Sequence, residues 1–190
     1  EQTNRIDEII TKKEQLIKLL KEKRITVIIH AVTKGLKPDM ELVESGLPWI
    51  GRIPKHWSLQ VNKSIFKKKK YLVGSNYNEF QMLSLSKQGI IVRDVESGKG
   101  KFSVDMSTYQ KVEQGDLVFC LFDIEETPRT VGLSDVSGMI TGAYSVFHCN
   151  HLILSKFIEY FYVAMDEGKR LSYLYSGLRN TISPPRFLRI

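Results

Sequence analysis

From Ile6 to Ala31 the chain carries apolar residues at Ile6, Ile10, Ile17, Leu20, Val27 and Ala31. The spacing follows the repeat of a coiled-coil seam, with Lys13 and Arg24 in the two remaining seam positions. Ile9, Leu16 and Leu19 widen the stripe. No Gly or Pro interrupts the run before Gly35, and Pro38 follows soon after, so the pattern predicts one helix over 1–35 that ends at Gly35. Ile6 to Thr33 would span about 40 Å. Such a stripe needs a partner helix, from another chain or from a longer form of this one. Glu1-Gln2-Thr3 offers no clear cap and Phe187-Leu188-Arg189-Ile190 no terminal turn. The sequence is therefore expected to be a piece of a longer polypeptide.

Residues 36–50 read as an acidic linker broken by Pro38, Gly46 and Pro48. Trp49, Ile50, Ile53, Pro54 and Trp57 read as a segment pinned to a domain surface. From there the period shortens. Phe80–Leu85, Ile90–Arg93, Leu117–Phe122 and Tyr144–Cys149 are expected strands. The continuously apolar Leu117–Phe122 should be a central buried one. Leu152–Met165 predicts a helix with Ile153, Phe157, Phe161 and Ala164/Met165 facing the core, and a short helix is expected over Gly168–Tyr175. The fold class is α+β: a long coiled-coil-type helix at 1–35, a linker at 36–50 and a mixed α/β domain at 51–190.

Charge sharpens this picture. The net charge of +7 divides as +4 in residues 1–37, −3 in 38–50 and +6 in 51–190. A basic domain suits a partner rich in phosphate. Cys120 and Cys149 fit neither a zinc-finger spacing nor a disulfide framework. No apolar run approaches the roughly 18 residues of a membrane span. Free thiols in a reducing cytoplasm, with no membrane association, are the expectation.

Catalytic motifs are not evident. No Gly-rich loop follows a strand, so no cofactor site is expected. Thr181–Phe187 lacks the amide or carboxylate that a flipped adenine needs before the two prolines. Arg93–Lys99 and Asp123–Glu126 lack the usual spacing of a metal-dependent nuclease, and His148-Cys149-Asn150-His151 has no second pair of zinc ligands elsewhere. Four loops instead suit base or phosphate contacts. They contain Lys87 and Gln88; Arg93, Lys99 and Lys101; Arg129 and Thr130; and Arg179 and Asn180. Lys67–Lys70 reads as a solvated edge or loop that could also touch phosphate.

The segment Glu44-Ser-Gly-Leu-Pro-Trp-Ile-Gly-Arg-Ile-Pro-Lys-His-Trp57 resembles the boundary that opens a target-recognition domain in specificity subunits of type I restriction–modification enzymes. Trp49, Gly51, Ile53, Pro54, His56 and Trp57 carry the match. Ile6–Ile10, Lys12–Glu14, Leu19–Arg24 and Ala31–Gly35 resemble that family's spacer helix, and Gly115–Val118 and Gly138–Tyr144 resemble its domain interior. The resemblance implies a non-catalytic subunit that reads one half of a bipartite site in double-stranded DNA. It would direct modification (methyltransferase) subunits and restriction/motor subunits. Its helix would pair, through Ile6, Ile10, Ile17, Leu20, Val27 and Ala31, with a second spacer helix or with another copy. The piece would comprise the central helix and the second recognition domain, without the first domain and the final helix. The runner-up class is an RNA- or single-strand-binding module using Tyr71, Tyr77, Tyr109 and Tyr144 as stacking platforms; a metal-dependent nuclease ranks third.

Overall fold

The computed structural model describes residues 2–37, 39–93, 105–149, 155–175 and 180–190. The uninterrupted N-terminal run forms one helix, α1 (Gln2–Lys34). It stops where Gly35 adopts φ +83°, a conformation open to Gly but costly for side-chain-bearing residues, and the Gly35 N–H closes the last turn on the Ala31 carbonyl.

The expected linker is part of the fold. Leu42–Glu44 forms β1, which pairs antiparallel with β2 (Arg52–Pro54), and Trp49 and Ile50 are buried. Domain packing therefore begins before residue 51. The apolar residues among the breakers supply the reason, since burying two of them outweighs the local preference for loop.

The chain continues through α2 (Asn62–Ile65), β3 (Phe66–Lys69), a 3-10 turn at Gly74–Glu79, β4 (Leu83–Ser86), β5 (Gly89–Val92), β6 (Gln110–Val112) and β7 (Asp116–Phe119). It then forms β8 (Val131–Leu133), β9 (Gly138–Ile140), β10 (Ser145–Cys149), α3 (Ser155–Glu167), a 3-10 turn at Arg170–Leu174, and α4 (Pro184–Phe187). The central sheet is antiparallel in the order β3-β10-β7-β8, and β4–β5 and β6–β9 are separate antiparallel pairs. As expected, β7 is an interior strand and all four of its residues are buried. Its ladder is shorter than Leu117–Phe122, because Phe122 leaves it to bridge Thr181.

Both faces of this sheet are covered, which explains why β7 reads as continuously apolar. On one face Phe66, Phe119 and Phe147 meet Tyr162 of α3 and Phe187 of α4, with Phe119–Tyr162 and Phe119–Phe187 ring centroids both 4.9 Å apart. On the other, Val118 and Val146 pack with Leu83, Val112 and Ile140. The β4–β5 hairpin approaches β8 closely at Gly132, where an added Cβ would come within 2.9 Å of Leu85.

Two expectations about the C-terminal part need correction. Ala164 and Met165 are buried as expected, but the rest of the inward face of α3 is Ile158 and Tyr162, whereas Phe157 is 40% exposed. Phe157 and Phe161 instead meet Trp57 and Trp49 edge-on, because the Trp49–Trp57 segment covers that flank of the helix. The apolar run Phe187–Ile190 is tied into the fold. Phe187 is fully buried, and the Phe187 and Ile190 carbonyls accept from the Asn62 side chain and backbone N–H. Ile153 lies outside the described residues.

Candidate nucleic-acid interface

Among the described residues the helix joins the domain through its C-terminal part. Val32 is buried and Ile29 half-buried against the core, and α1 packs on α3 and β2. Ile6, Ile10, Ile17, Leu20 and Val27 are each at least half exposed, with Ala31 half-buried at the domain edge. The seam is thus uncovered along most of its length. Gly35 lies against Pro54 and Trp57, so the end of the helix is held by the Trp49–Trp57 segment.

The expected DNA contacts separate into different environments. Lys87 and Gln88 form the exposed tip of the β4–β5 hairpin. The tip is stiffened by Ser86, whose hydroxyl accepts from the Gln88 N–H and donates to the Gly89 carbonyl. Gly89 supplies the turn with φ +112° and lets Arg129 lie 3.9 Å from where a Cβ would stand.

Arg129 does not project freely as the loop reading suggested. Its Nη2 donates to Glu159 Oε1 at 2.7 Å, its Nε to the Val131 carbonyl at 2.7 Å, and its Nη1 reaches toward the Lys87 carbonyl at 3.5 Å. Glu159 is a buried residue of α3 and also accepts from the Leu133 N–H. Lys156 Nζ stands 2.6 Å from the other Glu159 oxygen, an ion pair not aligned as a hydrogen bond. Arg129 therefore ties α3, β8 and the hairpin tip together. Thr130 is a core residue with no exposed surface, its N–H donating to Asp166 Oδ2. It is not available to DNA in this structure. The reason for both corrections is the pair of buried carboxylates on α3, which draw this loop inward.

Arg93 stands at the opposite end of the hairpin from Lys87, with its N–H on the Met82 carbonyl. Asn180 is exposed beside Phe122 and Thr181, its carbonyl accepting from the Asp123 N–H. Lys99, Lys101 and Arg179 lie outside the described residues. The structure thus brings Lys87, Gln88 and Arg129 together and leaves Arg93 and Asn180 elsewhere.

The lysine run is strand β3 for three of its four residues, at the edge of the central sheet. Alternation divides it. Lys69 turns inward to Asp116 Oδ1 at 3.0 Å, where His148 Nδ1 also meets Asp116 at 3.0 Å. Burial pulls the Lys69 pKa down, but hydrogen bonds to Glu113 and Asp116 outweigh it and hold the ammonium form above its ordinary range. Lys68 and Lys70 line a groove of about 400 Å³ with Tyr144, Phe122 and Thr181.

Features expected to be non-catalytic have structural partners. Cys120 and Cys149 are buried free thiols, and burial pushes both pKa values up, away from nucleophilic thiolates. Ser183 caps α4 by accepting from the Arg186 N–H. Among the described residues no group of His, Cys, Asp and Glu could hold a metal ion, and no helix is long and apolar enough to cross a membrane. Of the tyrosines weighed as stacking platforms, Tyr71 is well exposed, while Tyr77 and Tyr109 pack against a small cluster around Met82 and Met139. Neither a family model nor a curated protein matches the chain.

Proposed function

We propose that this chain is a non-catalytic DNA-specificity element: a spacer helix and one target-recognition domain of a type I restriction–modification specificity subunit. The observation that carries the reading is the junction between helix and domain. The boundary segment Glu44–Trp57 bears the resemblance. It also buries Trp49 and Ile53 and holds the end of α1 through Gly35 and Trp57. A helix that sets the distance between two half-sites must be joined stiffly to the domain that reads one of them. The basic hairpin tip and the basic edge strand supply cations for phosphate and base edges.

The decisive experiment is a graft. Residues 36–190 replace one recognition domain of a related subunit, and the methylation specificity of the reconstituted complex is sequenced. One half-site should change and the other stay. A change in both, or in neither, rejects the reading.

The uncovered seam belongs to the same proposal. It pairs with a second spacer helix, and in the isolated chain with another copy. Replacing Ile10, Ile17 and Leu20 by Gln, all about half exposed in this structure, should turn a sedimenting dimer into a folded monomer. A parent chain that is already monomeric at high concentration would refute the pairing.

A further inference from the structure

The geometry points to the cleft between α1 and the domain as a binding channel for the phosphodiester backbone of duplex DNA. Lys21 and Arg24 of the helix would form one wall and Lys87 the other. The inference rests on the DNA-reading function proposed above and adds that the helix itself contributes affinity as well as spacing.

The cleft is about 670 Å³ and opens where α1 leans on α3. Its cations fall into two groups. Arg129 and Lys156 are paired with Glu159, and Lys169 with Asp166, so each cation of the floor has a carboxylate partner and the set keeps one net positive charge. Lys21, Arg24 and Lys87 also line the cleft and make no ion pair among the described residues. Among the described residues Glu167 is the one further acid in the lining, so the open cations outnumber it.

Position explains why these three remain open. Lys21, Arg24, Ile25 and Ile28 share one helix face at spacings of three and four. The two isoleucines line the same cleft beside the cations. Arg24 falls at a seam position and, at its flank, lines the cleft.

The cations stand on separate elements, Lys21 and Arg24 on α1 and Lys87 at the hairpin tip. That arrangement suits an extended polyanion better than a single phosphate group, which would want several donors on one centre. Tyr160 is half-buried with Lys156 Nζ 5.3 Å from its ring centroid, so the cleft does not present an open aromatic face for unstacked bases. Backbone contact to a duplex is therefore favoured over single-strand binding. A strand seated here would bring the Lys87–Gln88 tip against the neighbouring groove.

The test uses the full chain and a short fluorescent duplex, with anisotropy titrations across salt concentrations. Lys21→Gln with Arg24→Gln should flatten the log–log salt slope by about 2, since each lost phosphate contact removes about 0.9. Lys21→Gln alone should give about half that change. Lys12→Gln with Lys23→Gln removes equal charge from the same helix but outside the cleft lining, and should leave the slope nearly unchanged. Lys and Gln have similar helix propensity, so folding is preserved. Equal effects from the two pairs, or none from Lys21 and Arg24, overturn the channel while leaving the DNA-reading function standing. A parent that binds no duplex at any salt overturns both. Tighter binding of single-stranded RNA, with the Lys21 and Arg24 effect confined to it, overturns the duplex assignment.

Discussion

Substituting Asp for Phe119 is expected to abolish the cooperative melting transition of the domain. Phe119 has no exposed surface and lies on β7, between β10 and β8 in the central sheet. Its ring meets Phe66, Phe147, Tyr162 and Phe187 at centroid distances from 4.9 to 5.7 Å. Truncating such a side chain to Ala costs about 3–5 kcal/mol through lost burial and the cavity left behind. Asp adds an uncompensated carboxylate among apolar rings and a further cost of several kcal/mol. A domain stable by about 5–15 kcal/mol loses most or all of its margin. Tyr173→Asp is the matched control, because Tyr173 is 77% exposed. Thermal melts followed by circular dichroism should separate the two. An unchanged transition for the Phe119 variant would remove β7 from the core.

How far the sequence discloses this fold depends on the range of the forces involved. The first helix is legible because nothing in it opposes helix until Gly35, and β7 because its apolar run is continuous. β3 is hidden, since Lys67-Lys68-Lys69-Lys70 shows charge where alternation should appear. Only pairing with β10 makes it a strand, with Lys68 opposite Phe147 and Lys69 opposite Val146. β1, β8 and β9 span three residues each, too few for a period to register. The expected inward face of α3 is displaced by one residue at Phe157 and Phe161, because two tryptophans from the boundary segment cover them. The candidate site is less legible still. A loop carrying Arg129 and Thr130 resembles any solvated basic loop until Glu159 and Asp166, some thirty residues on, are folded beneath it. The cleft's Lys21 and Arg24 read locally as ordinary helix charges. Their position opposite Lys87 is a tertiary fact.

Removing the carboxylate of Glu159 should cost the domain much of its stability. Its side chain is 4% exposed and binds the Arg129 guanidinium, which is itself 18% exposed. Breaking a buried pair from one side strands the other charge and costs about 3–5 kcal/mol. Glu159→Ala also removes the acceptor of the Leu133 N–H, a further loss of about 1–3 kcal/mol if no water replaces it. At about 2–4 °C per kcal/mol for a chain of this size, the melting temperature should fall by about 10 °C or more. Glu159→Gln keeps an acceptor for Leu133 and should lose less. Glu159→Leu combined with Arg129→Leu should regain much of the Ala loss, because neither charge is then stranded. The Leu133 N–H remains unsatisfied, so recovery stays incomplete. Arg129→Lys separates the two duties of Arg129. It keeps a cation for Glu159 but cannot hold the Val131 and Lys87 carbonyls through a planar fork. Hydrogen exchange at the Gln88 amide should then rise with only a modest loss of stability. Equal melting temperatures for parent, Ala and Leu–Leu variants would show that the pair carries no such load, and unchanged exchange in the Lys variant would detach Arg129 from the hairpin tip.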